Sequence, residues 1–309
     1  MNLLKRIVLI ALGTAVSILA ILPLLRNPER KHLNEEERRK APGKFIQLRC
    51  GLVHYQLEGP AEAPVVVLVH GFSTPYYVWD PTFTALTEAG FRVLRYDLYG
   101  RGYSERPQTT YNGTLYVNQL NDLLDALELG QKVHLIGLSM GGAILVDFAD
   151  QYPDRVQTLT FIDPLIHGLK VPFLDKPLIG EYLMPVYVAP SLANGQFDDF
   201  YQPERFPHWA EQYQVQMAYK GFQHAILSTM RNYLSQEHEP TYQRVGEQDA
   251  PVLLIWGRED QTIPFAQSVD VLTHLDAQFL PVDAAGHLPH YEQPEVVNPV
   301  IINFLQTHI

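Results

Sequence analysis

Val133-His134-Leu135-Ile136-Gly137-Leu138-Ser139-Met140-Gly141-Gly142 is the stretch on which the reading of this chain turns. Its first six residues read as a strand buried on both faces, since the run is apolar rather than alternating. Gly-x-Ser-x-Gly follows, and then a helical pattern over Ala143–Tyr152, closed by Pro153. Strand, sharp turn and helix is the context in which this motif presents a nucleophile. The glycines offer so little surface that strand and helix can approach closely, holding Ser139 Oγ above the sheet. The Met140 amide and the helix N-terminus then face the place where an oxyanion would form.

The same apolar signature recurs at 65–69, 92–96, 158–162, 252–256 and 278–282, and 45–49 with 53–58 reads as a hairpin around Cys50-Gly51. Between these runs lie helical patterns. The clearest is Leu115, Leu120, Leu123, Leu124 and Leu127, for which Gly130 is the expected stop. Strands alternating with helices predict an α/β fold with a mostly parallel sheet covered on both faces. Ligands in such a sheet bind beyond the carboxyl ends of the strands, so the residues just after each run are the functional candidates.

Composition narrows the class. The 309 residues carry a net charge of −11, and because residues 1–43 hold +4, the remaining body holds −15. An acidic body repels phosphate backbones, which sets nucleic acid aside as a partner. A single cysteine, Cys50, excludes an intrachain disulfide and a cysteine-built zinc site. Ile7 to Leu25 has no charged residue and as a helix would span about 28 Å, near the thickness of a bilayer's hydrocarbon core. Residues 1–25 are therefore expected to be an uncleaved single-pass anchor. A cleaved signal peptide is the rival reading, but its apolar region would be shorter and would end in a small-x-small site. Lys and Arg flanking the segment are more numerous on its C-terminal side, which leans the body toward the cytoplasm. Residues 26–43 read as a polar linker or short juxtamembrane helix.

A serine hydroxyl attacks poorly without a base that is itself oriented by an acid. Asp260 follows the 252–256 run and His287 follows 278–282, giving the chain order Ser, Asp, His. Asp163, after the 158–162 run, is an alternative acid, and His290 competes with His287 for the role of base. His70 ends a strand but suits a structural task, and Asp97 and Ser104 suit loop stabilisation. No cluster of histidines and carboxylates with metal-ligand spacing is visible, so neither a metal nor a cofactor is expected.

His70-Gly71-Phe72 with Trp79, Asp97–Ser104, Gly137–Gly142, Gly257–Pro264 and Gly286-His287-Leu288-Pro289 together resemble the α/β-hydrolase superfamily over residues 44–309, in its epoxide-hydrolase and dehalogenase-like branch. The resemblance implies that Phe72 supplies a second oxyanion amide beside Met140. It also implies a hydrolase core over 44–164 and 243–309 with a helical cap inserted at 165–242, where Pro and aromatic residues are dense. The nucleophile departs from that branch: Ser139 stands where epoxide hydrolases and dehalogenases carry Asp, which points to attack on a carbonyl. The apolar N-terminus and the Gly-x-Ser-Met-Gly turn are also similar to membrane-bound monoacylglycerol-lipase-type hydrolases. The expected activity is hydrolysis of hydrophobic or lipid-like carboxylic esters through Ser139, Asp260 and His287. Cleavage of a carbon–carbon bond or acyl transfer by the same triad is the alternative, and a non-catalytic small-molecule receptor is the alternative of another class.

Overall fold

The computed structural model describes residues 3–130 and 132–309. The strands are β1 Lys44–Leu48, β2 Gly51–Glu58, β3 Val65–Val69, β4 Arg92–Tyr96, β5 Val133–Leu138, β6 Val156–Ile162, β7 Val252–Gly257 and β8 Ala277–Val282. They form one eight-stranded sheet in the order β1-β2-β4-β3-β5-β6-β7-β8. The pairs β1–β2 and β2–β4 are antiparallel and the remaining neighbours are parallel. β3 lies between β4 and β5, so the strand order reverses there and a crevice opens at the carboxyl ends of β3 and β5.

Helices α1 Leu3–Arg26 and α2 Glu35–Arg38 precede the sheet, and α3 Asp80–Glu88, α4 Gly113–Ala126 and α5 Met140–Gln151 link its first six strands. Five helices separate β6 from β7: α6 Ile179–Leu183, α7 Ala189–Gly195, α8 Trp209–Met217, α9 Phe222–Thr229 and α10 Glu239–Val245. α11 Ser268–His274 joins β7 to β8, and α12 Pro289–Glu292 and α13 Pro294–Thr307 follow. Period-two geometry divides each strand between two cores. Val67, Val69 and Leu94 pack with Leu120, Leu124, Ile144 and Phe148 of α4 and α5 on one face. Val66, Leu68 and Val93 pack with Leu86 of α3 and Val297, Ile301 and Phe304 of α13 on the other.

Two local readings change. α4 stops at Ala126, well short of Gly130, because Glu128 adopts the left-handed conformation with φ +57°. The Leu129 amide then bonds back to the Leu124 carbonyl at 2.8 Å and Leu129 is buried. This helix stop is one in which the hydrophobic contact of the following leucine outweighs the missing glycine. Residues 26–38, part of the 26–43 segment read as a polar linker or short juxtamembrane helix, include the short α2 and run docked along the α6–α9 segment. Arg26 Nη1 donates to the Val186 carbonyl at 2.7 Å, and the Arg30 and Lys31 amides donate to the Ala218 carbonyl. The Glu29 carboxylate accepts from the Gly221 and Gln223 amides, at the positive N-terminal end of α9. An 18-residue window of α1 has a mean hydropathy of 2.6 and α1 exposes most of its large apolar side chains, so it is long and apolar enough to cross a membrane by length and composition.

α5 approaches β3 and β5 closely. A Cβ on Gly141 would lie 2.2 Å from the Val69 carbonyl oxygen, and one on Gly137 would lie 2.7 Å from the Gly141 backbone. Neither neighbour is a flexible side chain, so Gly141→Ala is expected to cost about 2–4 kcal/mol by overpacking. Urea unfolding followed by circular dichroism checks this; a midpoint equal to that of the natural chain would refute the close-approach account.

Candidate active site

Ser139 sits between β5 and α5 with φ +55° and ψ −121°, a backbone that costs a non-glycine residue roughly 1–3 kcal/mol. The turn is imposed from several directions. The Ser139 amide donates to the Ile162 carbonyl at 2.9 Å, and its own carbonyl accepts from Gly142 at 2.9 Å and Leu165 at 3.0 Å. Its hydroxyl makes no cap bond to α5. The loop after β3 lies against it: a Cβ on Gly71 would be 3.2 Å from Ser139 Cβ and 3.7 Å from Oγ.

His70 shapes that loop. Its Nδ1–H donates to the Gly71 carbonyl at 2.9 Å and its Nε2 accepts from the Leu98 amide at 2.9 Å, which fixes the tautomer. Burial lowers its pKa to about 4, so it stays neutral. The buried Arg101 braces the same loop, donating from Nε to the Phe72 carbonyl at 2.7 Å and from Nη2 to Thr229 Oγ1 of α9 at 2.9 Å. Met140 is the first residue of α5, so its amide points out of the helix N-terminus beside Ser139.

At the β7 and β8 ends the fold joins the other two candidates. His287 Nδ1 lies 2.7 Å from Asp260 Oδ2, and both side chains are almost entirely buried. Asp260 Oδ1 accepts from the Thr262 amide at 2.7 Å and the Ile263 amide at 2.9 Å, which turns the carboxylate toward the imidazole. With Nδ1 donating, the Nε2 lone pair is left as a base. Burial by itself would lower the His287 pKa. The Asp260 charge and hydrogen bond outweigh it, and the net displacement is upward from 6.5.

His290 is excluded as the base. Its Nε2 donates to the Val78 carbonyl at 3.1 Å, its ring packs 4.5 Å from Trp79, and burial pushes its pKa down to about 3. Asp97 holds loops, accepting from the Tyr76 and Tyr103 amides and from His54 Nδ1, while Ser104 Oγ donates to the Asp97 carbonyl.

Some residues of the site were not foreseen. Glu292 accepts from the Gly286 amide at 2.7 Å and from the Tyr201 amide at 2.9 Å. Asp199 takes the His287 amide on its carbonyl at 2.7 Å and Thr262 Oγ1 on its carboxylate at 2.7 Å. These bonds latch Asp199–Tyr201, from the segment between β6 and β7, onto the His287 loop. No motif marks either acid, because both act through backbone groups brought near by folding. The fold also assembles the cluster that sequence spacing did not show: ligating atoms of Asp163, Asp260 and His287 lie within 4.8 Å of one another. His287 Nδ1 and Asp260 Oδ2 are already bonded to each other, so the three residues are poorly suited to hold a cation.

Comparison with known proteins agrees with this architecture. Residues 64–294 match a family described as alpha/beta hydrolase fold. A 2-hydroxy-6-oxononadienedioate/2-hydroxy-6-oxononatrienedioate hydrolase of Comamonas testosteroni is 26% identical over 280 residues, covering 85% of this chain and 96% of that protein. The enol-lactonase of Burkholderia xenovorans LB400 superposes with a TM-score of 0.74 at 23% identity, covering 85% of this chain and all of its own. A membrane phospholipase A superposes with a TM-score of 0.71 at 23% identity, covering 98% of both chains.

Because the imidazole must be unprotonated to accept a proton, its raised pKa places the acid limb of Ser139 reactivity above pH 6.5. The rate of fluorophosphonate labelling against pH measures that midpoint, and a midpoint below the ordinary histidine value would contradict the Asp260–His287 electrostatics. Asp260→Asn should slow labelling by about 10⁴-fold, since an amide stabilises the wrong tautomer.

Proposed function

The chain belongs to the α/β-hydrolase fold family, and from that premise we propose a serine hydrolase in which Ser139 attacks, His287 moves the proton and Asp260 orients the imidazole. The observation that carries this is the 2.7 Å bond from His287 Nδ1 to Asp260 Oδ2 at the rim where Ser139 is presented. His287 Nε2 takes the Ser139 proton as Oγ adds to a carbonyl carbon. The Phe72 and Met140 amides hold the oxyanion, and collapse of the adduct breaks the scissile bond as His287 returns the proton to the departing atom. Water then enters by the same route and frees the acyl group from Ser139.

Two bonds suit this cycle. Carbon–carbon cleavage next to a ketone has better support than carboxylic ester cleavage, because relatives from Comamonas testosteroni are hydrolases of 2-hydroxy-6-oxo dienoates, compounds with a ketone and no ester. There the proton returns to carbon; in an ester it returns to oxygen. One observation favours the second reading, hydrolysis of a lipid-like ester. α1 is apolar throughout its core, and the likeness to the membrane phospholipase A extends over it. On that reading α1 anchors the chain in a bilayer, and the excess of Lys and Arg after it keeps the body on the cytoplasmic side.

Full-length protein in detergent distinguishes the two. With 2-hydroxy-6-oxo-6-phenylhexa-2,4-dienoate, monoacylglycerols and an ester chain-length series as substrates, kcat/KM for the dienoate is expected to exceed that for any ester by about tenfold or more. The opposite ranking would establish the lipid-ester reading in its place. Ser139→Ala should abolish both activities, and turnover that survives it would remove the serine-hydrolase reading altogether.

A further inference from the structure

Asp163 directly follows β6 with φ +43°, a left-handed backbone that a non-glycine residue keeps only where its surroundings impose it. Its amide donates to the Ile255 carbonyl at 3.0 Å and its Oδ1 accepts from the Gly257 amide at 2.9 Å. The side chain is wholly buried, and among the described residues Oδ2 has no hydrogen-bond partner. A carboxylate oxygen of Asp163 belongs to the cluster in which Asp163, Asp260 and His287 atoms lie within 4.8 Å of one another. Two ionised carboxylates offer each other only acceptors, so a buried pair at this spacing needs one proton.

The donors decide which acid carries it. Among the described residues Asp260 receives three N–H groups, from Thr262, Ile263 and His287, whereas Asp163 receives the Gly257 amide alone. Negative charge settles where donors converge. We propose that Asp163 is a neutral carboxylic acid in the working enzyme, donating Oδ2–H to the Asp260 carboxylate and thereby holding it in register with His287. It is a positioning residue one step behind the triad, and this assignment rests on the reading of Asp260 and His287 as acid and base. An O–H bond to a carboxylate is charge-assisted, and it supplies Asp260 with a further partner in a site closed to water.

The charged and titratable groups around Asp163 are Asp260 from the β7 loop, His287 from the β8 loop and Glu292 from α12. Burial and then the Asp260 charge push its carboxyl well above the usual carboxylate range. The sign for stability follows. A carboxyl whose folded pKa is raised holds its proton after the unfolded chain has released it, so it costs stability as pH rises above 3.8. The acid is therefore maintained against stability, as expected of a group retained for its place in a site.

The test uses the full chain, with Asp163→Asn and Asp163→Ala, and follows the pH dependence of fluorophosphonate labelling at Ser139. Asn is neutral and can donate N–H to Asp260. It should slow labelling by no more than about threefold and leave the acid limb within about 0.3 pH unit of its original position. Ala leaves Asp260 without that donor and should slow labelling by about tenfold or more. If Asp163 were ionised, Asn would remove a negative charge beside His287 and lower the limb by about one unit, which overturns the proposal. Labelling of the Ala variant at the original rate overturns it equally, and if Ala does not fold, the Asn limb decides alone. Infrared difference spectra supply an independent arm. A protonated-carboxyl band that disappears in Asp163→Asn supports the assignment, and a spectrum without that band refutes it. Failure of the unsubstituted chain to label at Ser139 would strike the triad reading instead, and the infrared arm would still decide Asp163.

Discussion

The bond between the Asp260 carboxylate and the His287 imidazole, made out of reach of water, is the constraint around which the site is built. In water such a pair would exchange partners freely. Here the Thr262 and Ile263 amides hold the carboxylate and the latch from Asp199 holds the imidazole loop. The two loops come together because β7 and β8 pair in parallel up to Gly257 and Val282. A Cβ on Gly257 would sit 1.9 Å from the Gly286 carbonyl oxygen, so the strand must end in glycine for the loops to close.

The helical segment between β6 and β7 does more than cover the sheet. Glu292 spans the Gly286 and Tyr201 amides, and Arg101 spans the Phe72 carbonyl and Thr229. Both the His287 loop and the Gly71–Phe72 loop are therefore tied to that segment by buried charged groups. Its outer side is tied in turn to residues 26–38 through Glu29 and Arg26. Hydrogen bonds thus run without a break from the end of the apolar α1 to the helices above the strand ends.

Several elements were legible in the order of residues because their causes are local. Continuous apolar runs became strands at 65–69, 92–96 and 133–138 with unchanged bounds, since burial on both faces leaves a periodic signature. The turn at Ser139 was legible because glycines on both sides of a serine suit a close strand–helix approach, and Gly141 packs as that requires. The hydrogen bond between Asp260 and His287 joins residues that chain order and strand ends had already singled out. Other features had no local cause. Glu128 takes over the helix stop from Gly130 because burying Leu129 depends on a core formed by distant residues. The polar segment 26–38 has the composition of a linker, yet it docks because α9 offers it an unsatisfied N-terminus.

The sequence by itself determined the alternation of strands and helices, the serine in the sharp turn after β5 and the two strand ends where Asp260 and His287 stand. These rest on spacing and side-chain type, which need no knowledge of distant neighbours. Tertiary structure alone decided that Asp163 stands behind Asp260, that Glu292 and Asp199 lock the imidazole loop, and that His290 is occupied elsewhere. Each of those depends on which backbone donors and which second charge arrive within a few ångströms, and only the folded chain brings them there.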